Sequence, residues 1–214
     1  MKLLDLYCKA GGASVGYAQA GFEVTGIDIS KQKRYPFVFI QEDVLEVLKD
    51  INYLSQFDVI AASPPCQTHS ITRNLRNAQG KSTDKVDLIP QTREGLINSG
   101  KPYVIENVMG APLINSVVLC GSSFGLKVRR HRQFESNVKL VGSICDHKTQ
   151  ERPIGVYGSL RDEIPKGGKT ANSIEEAREA MGISWMIWGE LVEAIPPDYT
   201  KYLGDQLVEI LTNG

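Results

Sequence analysis

No stretch of the 214-residue chain approaches the roughly 18 uninterrupted apolar residues that cross a bilayer. Met1-Lys2-Leu3-Leu4-Asp5 places an acid where a secretory leader needs an apolar run, so a cytoplasmic location is expected. Cysteine is scarce. Cys8, Cys66, Cys120 and Cys145 are widely spaced and form no CxxC pair, which speaks against a disulfide framework and against the usual zinc spacings. Cys145-Asp146-His147 offers two ligands, too few for a tetrahedral site, so no metal is expected. Low-complexity tracts and internal repeats are missing as well. With 42% hydrophobic and 23% charged residues the chain reads as an ordinary folded protein, not a disordered one. Its formal charge of −1 lacks the overall basic character of a strong nucleic-acid binder. Acids are missing locally, however. None occurs from Val59 to Thr83, where Arg73, Arg76 and Lys81 lie, nor from Asn107 to Phe134, where Lys127, Arg129, Arg130 and Arg132 cluster. Most such runs are solvated loops, but both of these adjoin candidate reactive residues.

What is present is an alternation of short apolar runs and helical patterns. Residues 2–7 suit a strand, 14–20 a helix closed by Gly21, 22–29 a strand carrying Asp28, and 37–41 a third strand before Asp43. Residues 45–54 suit a helix, 57–62 a buried strand ending in Ser63-Pro64-Pro65-Cys66, 88–99 a helix, and 102–108 a fifth strand. Two more strands fit 117–119 and 133–136, and helices fit 174–181 and 199–211. Residues 137–173 are rich in Gly, Pro, Lys and Asp and show little periodicity. This order predicts an α/β fold with a doubly wound, mainly parallel sheet. Ligands in such sheets sit beyond the carboxyl ends of the strands, where Tyr7, Asp28, Asp43, Cys66 and Glu106 all fall.

Asp5-Leu6-Tyr7-Cys8-Lys9-Ala10-Gly11-Gly12-Ala13-Ser14 joins a strand to a helix, and glycines there let the backbone approach a ligand closely. Asp28, about 20 residues further on, can hold the hydroxyls of a ribose. Together they suggest an adenosine-containing cofactor. The first eight of those residues resemble the first motif of the DNA cytosine-5 methyltransferases. Ser63-Pro64-Pro65-Cys66-Gln67-Thr68-His69-Ser70 resembles their nucleophile loop, Glu106-Asn107-Val108 their ENV motif, and Arg130-His131-Arg132 their paired-arginine motif. Ala194-Ile195-Pro196-Pro197 resembles the end of their last motif. The set occurs in family order across nearly the whole chain.

The resemblance implies S-adenosylmethionine as cofactor and DNA as partner, with no membrane involved. It implies Cys66 as the nucleophile that adds to carbon 6 of a flipped cytosine, and Glu106 as the group holding its ring nitrogen and amino group. Arg132 and Arg130 would contact the base oxygen and nearby phosphate, and Asn107 would brace the loop. Tyr7, Gly11 and Gly12 would surround the methionine end of the cofactor, Asp28 the ribose, Asp43 the adenine amino group, and Pro65 a pocket wall. Asp43 reads equally as the N-cap of the following helix. Gln67, Ser70, Arg73, Arg76 and Lys81 lie on the loop that would meet nucleic acid.

Two residues depart from the family pattern. Lys9 stands where glycine is usual, and Glu193 where asparagine precedes the last motif. The size differs too: only 137–173 is available for target recognition, where the family has about a hundred residues or more. Short or relaxed specificity is expected, or a homodimer or accessory recognition subunit that completes the site. The expected division is a catalytic and cofactor-binding domain over 1–136, a reduced recognition segment over 137–173, and helices over 174–214 returning to the catalytic domain. A bacterial or phage-infected host cell suits so compact a member. The same chemistry on RNA or a cytidine nucleotide is a second reading, and a non-catalytic DNA-binding subunit a third.

Overall fold

Strand β1 (Lys2–Leu6) reads Lys-Leu-Leu-Asp-Leu, and every residue after Lys2 is buried. A strand buried on both faces belongs in the middle of a sheet covered on two sides. That is its place in the computed structural model, which describes residues 1–65, 86–150, 152–158 and 170–213. The other strands are β2 (Glu23–Asp28), β3 (Val38–Gln41), β4 (Val59–Ala62), β5 (Tyr103–Val108), β6 (Val117–Leu119) and β7 (Arg132–Ser136). They form one sheet in the order β3-β2-β1-β4-β5-β7-β6. The first five pair in parallel, whereas β7 runs antiparallel to both β5 and β6. The expected mainly parallel α/β sheet is therefore observed. Its order reverses between β1 and β4, and a crevice opens beyond the strand ends at such a reversal.

Period-two alternation divides the core. Leu3, Val24, Val59, Ala61 and Val104 face one layer, made by α1 (Gly12–Gln19) and the C-terminal helix. Leu4, Leu6, Ile27, Ile60, Ala62 and Ile105 face the other, which holds α2 (Val44–Val47), α3 (Ile51–Leu54) and α4 (Ile89–Ser99). A third cluster joins α5 (Ile174–Met181) and α6 (Trp188–Glu193) to Ala10 in the turn after β1. The last helix, α7 (Pro197–Asn213), starts two residues before the expected position, because a proline at the first helical turn has no N–H to lose. It lies tightly on α1: a Cβ at Gly16 would collide with the Pro197 carbonyl and the Thr200 hydroxyl.

The helix expected over 45–54 is broken into α2 and α3. Asp50 ends the first turn and caps the second, its carboxylate accepting Tyr53 N–H at 3.0 Å. The antiparallel return of β7 is fastened from α4. Arg93 Nε and Nη2 each donate to a different oxygen of Glu135 at 2.7 Å, and Ile114 N–H adds a bond of 2.8 Å. Glu135 is 2% exposed, and breaking a buried pair of this kind costs about 3–5 kcal/mol. No helix among the described residues is long and apolar enough to cross a membrane.

Candidate active site

The turn after β1 carries three residues of positive φ: Tyr7 at 59°, Lys9 at 49° and Gly11 at 84°. Cys8 N–H continues the ladder to Ile27 O at 3.0 Å, and Gly11 N–H closes the turn on Cys8 O at 3.0 Å. Gly12 then opens α1 where a Cβ would stand 2.5 Å from the Ile195 carbonyl. Chain packing therefore demands glycine there, independently of any ligand. From the same side Trp185 Nε1 donates to Ala10 O at 2.8 Å and Thr200 Oγ1 to Ala13 O at 2.8 Å. The last motif thus supports the first. Asp28, 3% exposed at the end of β2, is fixed between two loops: Lys9 N–H donates to Oδ2 at 3.2 Å and Ser30 N–H to Oδ1 at 2.9 Å. Tyr7 Oη shares a hydrogen bond of 2.9 Å with Thr92 Oγ1.

Asp43 caps α2, its Oδ1 accepting Leu45 N–H at 2.8 Å. Glu42 N–H bonds the Asp28 carbonyl, so Asp43 lies just past the β2 end. The capping reading of Asp43 is observed, and it places the carboxylate beside the same crevice.

Asp5, in the middle of β1, is completely enclosed and accepts a hydrogen bond from Ser14 Oγ. Burial pushes its carboxyl up to about 7; the Ser14 bond works against this, and the neighbouring Glu106 and Asp28 charges add to it. A raised folded-state value keeps the group neutral where the unfolded chain has already ionised. Its stabilising contribution is complete below about pH 4 and is lost as pH rises through about 7. Asp5→Asn removes this dependence. Thermal melts of the two chains from pH 5 to 9 should therefore diverge in favour of the variant as pH rises, by the equivalent of a few kcal/mol. A constant difference across that range would show that Asp5 ionises alike in both states.

Glu106 lies within β5, two residues before its end, and is 9% exposed. Burial raises its carboxyl above the usual range, opposed by the Arg132 and Arg130 charges and a hydrogen bond with Ser63. Arg132 Nε stands 3.0 Å from Glu106 Oε1. Asn107 donates to Pro64 O at 2.9 Å while its own Oδ1 accepts Val108 N–H at 2.9 Å. That is the bracing role expected of it, and it fixes the chain two residues before Cys66. Pro65 is exposed at the end of this loop. Arg130 is differently engaged: it donates to Val156 O at 3.0 Å and to the Val192 carbonyl. Tyr199 Oη donates to Arg130 O at 2.9 Å. Arg130 thus ties the strand β7 approach to the last motif.

Lys9 and Glu193, the two departures from the family pattern, meet each other. Lys9 Nζ is 3.6 Å from Glu193 Oε2, with both side chains about half exposed. Such a pair adds little stability, but it links the turn after β1 to the residue just before the last motif, while the Lys9 backbone N–H bonds Asp28.

Tyr7, Gly11, Gly12, Asp28 and Asp43 therefore gather at the ends of β1 and β2, and Pro65, Glu106 and Arg132 at the ends of β4 and β5. Cys66, Gln67, Ser70, Arg73, Arg76 and Lys81 lie outside the described residues. Sequence reasoning assigned no role to Trp185 and Tyr199, and Ser63 stood in the nucleophile-loop motif with no role of its own. Each works through a long-range partner, and only the Ser63-Pro64 that follows β4 carried any local signal.

The profile of the family described as C-5 cytosine-specific DNA methylase matches residues 1–112. The chain is 35% identical over 83 residues to the type II methyltransferase M.FnuDI of Fusobacterium nucleatum, covering 36% of this chain and 24% of that protein. It is 28% identical over 126 residues to the type II methyltransferase M.AgeI of Thalassovita gelatinovora, covering 51% and 28%. The chain thus spans about a quarter of the length of these curated relatives. The S. pombe Dnmt2 methyltransferase superposes with a TM-score of 0.63 at 16% identity over 99% of both chains, a likeness of fold.

Proposed function

The chain belongs to the C-5 cytosine-specific DNA methylase family, and on that premise we propose that it transfers a methyl group to carbon 5 of cytosine in DNA. The observation that carries the reading is Glu106. It is a buried carboxyl held by Arg132 and Ser63 and set beside a proline loop that Asn107 clamps immediately before Cys66. S-adenosylmethionine supplies the electrophilic methyl when bound. The residues present fit it: Asp28 is a rigidly held acid at a strand end, beside a turn where Gly11 and Gly12 carry no side chain. Tyr7, Gly11, Gly12, Asp28, Asp43 and Pro65 would hold it.

Carbon 5 of cytosine is too poor a nucleophile unaided. The Cys66 thiolate adds to carbon 6, and the electron pair so released makes carbon 5 enamine-like. Glu106 holds the ring nitrogen and shares a proton with it as charge develops there. Once carbon 5 carries the methyl group, its proton passes to solvent, and the electron pair so released re-forms the ring double bond and expels the thiolate from carbon 6. Arg132 holds Glu106 in place and meets the base oxygen, while Arg130 is a positioning residue. Gln67, Ser70, Arg73, Arg76 and Lys81 would contact the nucleic acid. Residues 1–136 serve catalysis and cofactor binding, 137–173 target recognition, and 174–214 support the cofactor turn. So short a recognition segment reads one or two base pairs at most, unless a second protomer or an accessory subunit extends it.

The test is transfer of labelled methyl from S-adenosylmethionine to unmodified duplex DNA, with RNA and dCMP in parallel. Label recovered as 5-methylcytosine from DNA is the expected result. Label confined to RNA or dCMP overturns the substrate. No label in any, with the cofactor bound, overturns the chain as a self-sufficient enzyme.

A further inference from the structure

Away from the strand-end crevice the fold gathers a second set of chemically capable side chains. Cys120 follows β6, His131 precedes β7, and Cys145 and His147 lie in the segment after β7. Leu119 and Arg132 are paired across the β6–β7 hairpin, which sets Cys120 and His131 side by side just outside the ladder. Cys120 Sγ is 3.3 Å from His147 Nε2, and Cys145 Sγ is 3.4 Å from His131 Nε2. All four ligand atoms lie within 4.8 Å of one another. Zn–S bonds of about 2.3 Å and Zn–N bonds of about 2.0–2.1 Å separate the ligand atoms of a tetrahedron by about 3.3–3.8 Å.

We propose that Cys120, His131, Cys145 and His147 form a structural zinc site. Two of the chain's four cysteines and two of its three histidines meet here, which a solvated loop has no reason to arrange. Two thiolates and two imidazoles complete a tetrahedron and leave no open position, so the ion is structural and not catalytic. The surroundings hold the ligands from outside. Ser122 Oγ lies 3.1 Å from Cys120 Sγ and accepts the Asp146 N–H at 3.0 Å, between the two ligands of the later segment. Gln150 Nε2 reaches back to Leu126 O at 2.7 Å.

The site has a task. None of residues 141–150 is buried, so past Leu140, which lies in the core, this stretch of the recognition segment has no apolar anchor of its own. A metal replaces that anchor. It also fixes His131, the residue between Arg130 and Arg132, and so ties the recognition segment to the guanidinium that holds Glu106. The sequence reading counted only Cys145 and His147. The other two ligands arrive through the hairpin, with no CxxC spacing to announce them. The proposal stands independently of the methyl-transfer reading.

The test uses untagged full-length chain purified from zinc-supplemented medium without chelator. Elemental analysis and native mass spectrometry should give one zinc per chain. After removal of zinc, cobalt(II) should give the intense visible bands of a tetrahedral ion together with thiolate charge transfer. Cys145→Ser, at an exposed position, should lose most of the zinc under mild chelation. The wild-type melting temperature should fall on chelation, whereas that of Cys145→Ser should not. A metal-free protein carrying a Cys120–Cys145 disulfide would overturn the proposal. So would an octahedral cobalt spectrum, or full zinc content in Cys145→Ser. Should that variant fail to fold, the cobalt spectrum of the wild-type chain decides alone.

Discussion

Replacing Cys66 with alanine will reduce methyl transfer by at least about 10⁴-fold, the scale on which enzymes lose a covalent nucleophile, while leaving affinity for S-adenosylmethionine nearly unchanged. The asymmetry follows from position. The proposed cofactor residues Tyr7, Gly11, Gly12 and Asp28 are held by β1, β2 and the helices behind them, through bonds that involve Thr92, Lys9, Ser30 and Trp185. The covalent step can be read directly. A duplex carrying 5-fluorocytosine offers no removable proton at carbon 5, so the thiolate cannot be expelled after methyl transfer. The wild-type chain should accumulate a protein–DNA adduct stable to denaturant, and Cys66→Ala should give none. Adduct formation by the variant would assign the nucleophile to another residue. Loss of cofactor binding by the variant would mean that Cys66 is structural.

Glu106→Gln will lower kcat by about 10²–10⁴-fold with a smaller change in KM. Glutamine keeps the shape and one hydrogen bond to the base but cannot share a proton with the ring nitrogen. Burial raises the Glu106 carboxyl above the usual carboxylate range, so activity that depends on its proton persists to higher pH than an exposed glutamate would allow and then falls as pH rises. The glutamine variant should lack this alkaline limb. A profile that drops uniformly with unchanged shape would reduce Glu106 to a structural partner of Arg132. A melting temperature within a few degrees of wild type is the companion check, since the substitution removes the charge that faces Arg132 at 3.0 Å.

The sheet was legible because its signals are local. Val59–Ala62 is apolar on both faces, and a strand of that kind has one home, between parallel neighbours. The expected ribose acid, Asp28, lies at its strand end for the same reason. What stayed hidden depends on partners far away in sequence. The break at Asp50 depends on its carboxylate turning to the Tyr53 N–H, a cap that competes with continuation of the helix. Arg130 read as a base contact, but its guanidinium is drawn to carbonyls near residues 156 and 192, which only the folded chain brings near. Lys9 and Glu193 looked like two separate departures from the pattern and are one ion pair. A substitution judged alone at either position would be misjudged.

The bond from Thr200 to the carbonyl of Ala13 spans 187 residues. What steadies the turn after β1 from that side, Trp185 and Ile195 included, is synthesised 175 residues or more after the turn it supports. A nascent chain can pair β1 with β2 and β4 while still on the ribosome, but the exposed face of α1 has to wait for α7. The first motif therefore acquires this support only after residues 185–200 have emerged. Contacts of such long range form late and slowly. During that interval the growing chain carries the proposed nucleophile and the proposed cofactor residues without the support that makes them a site.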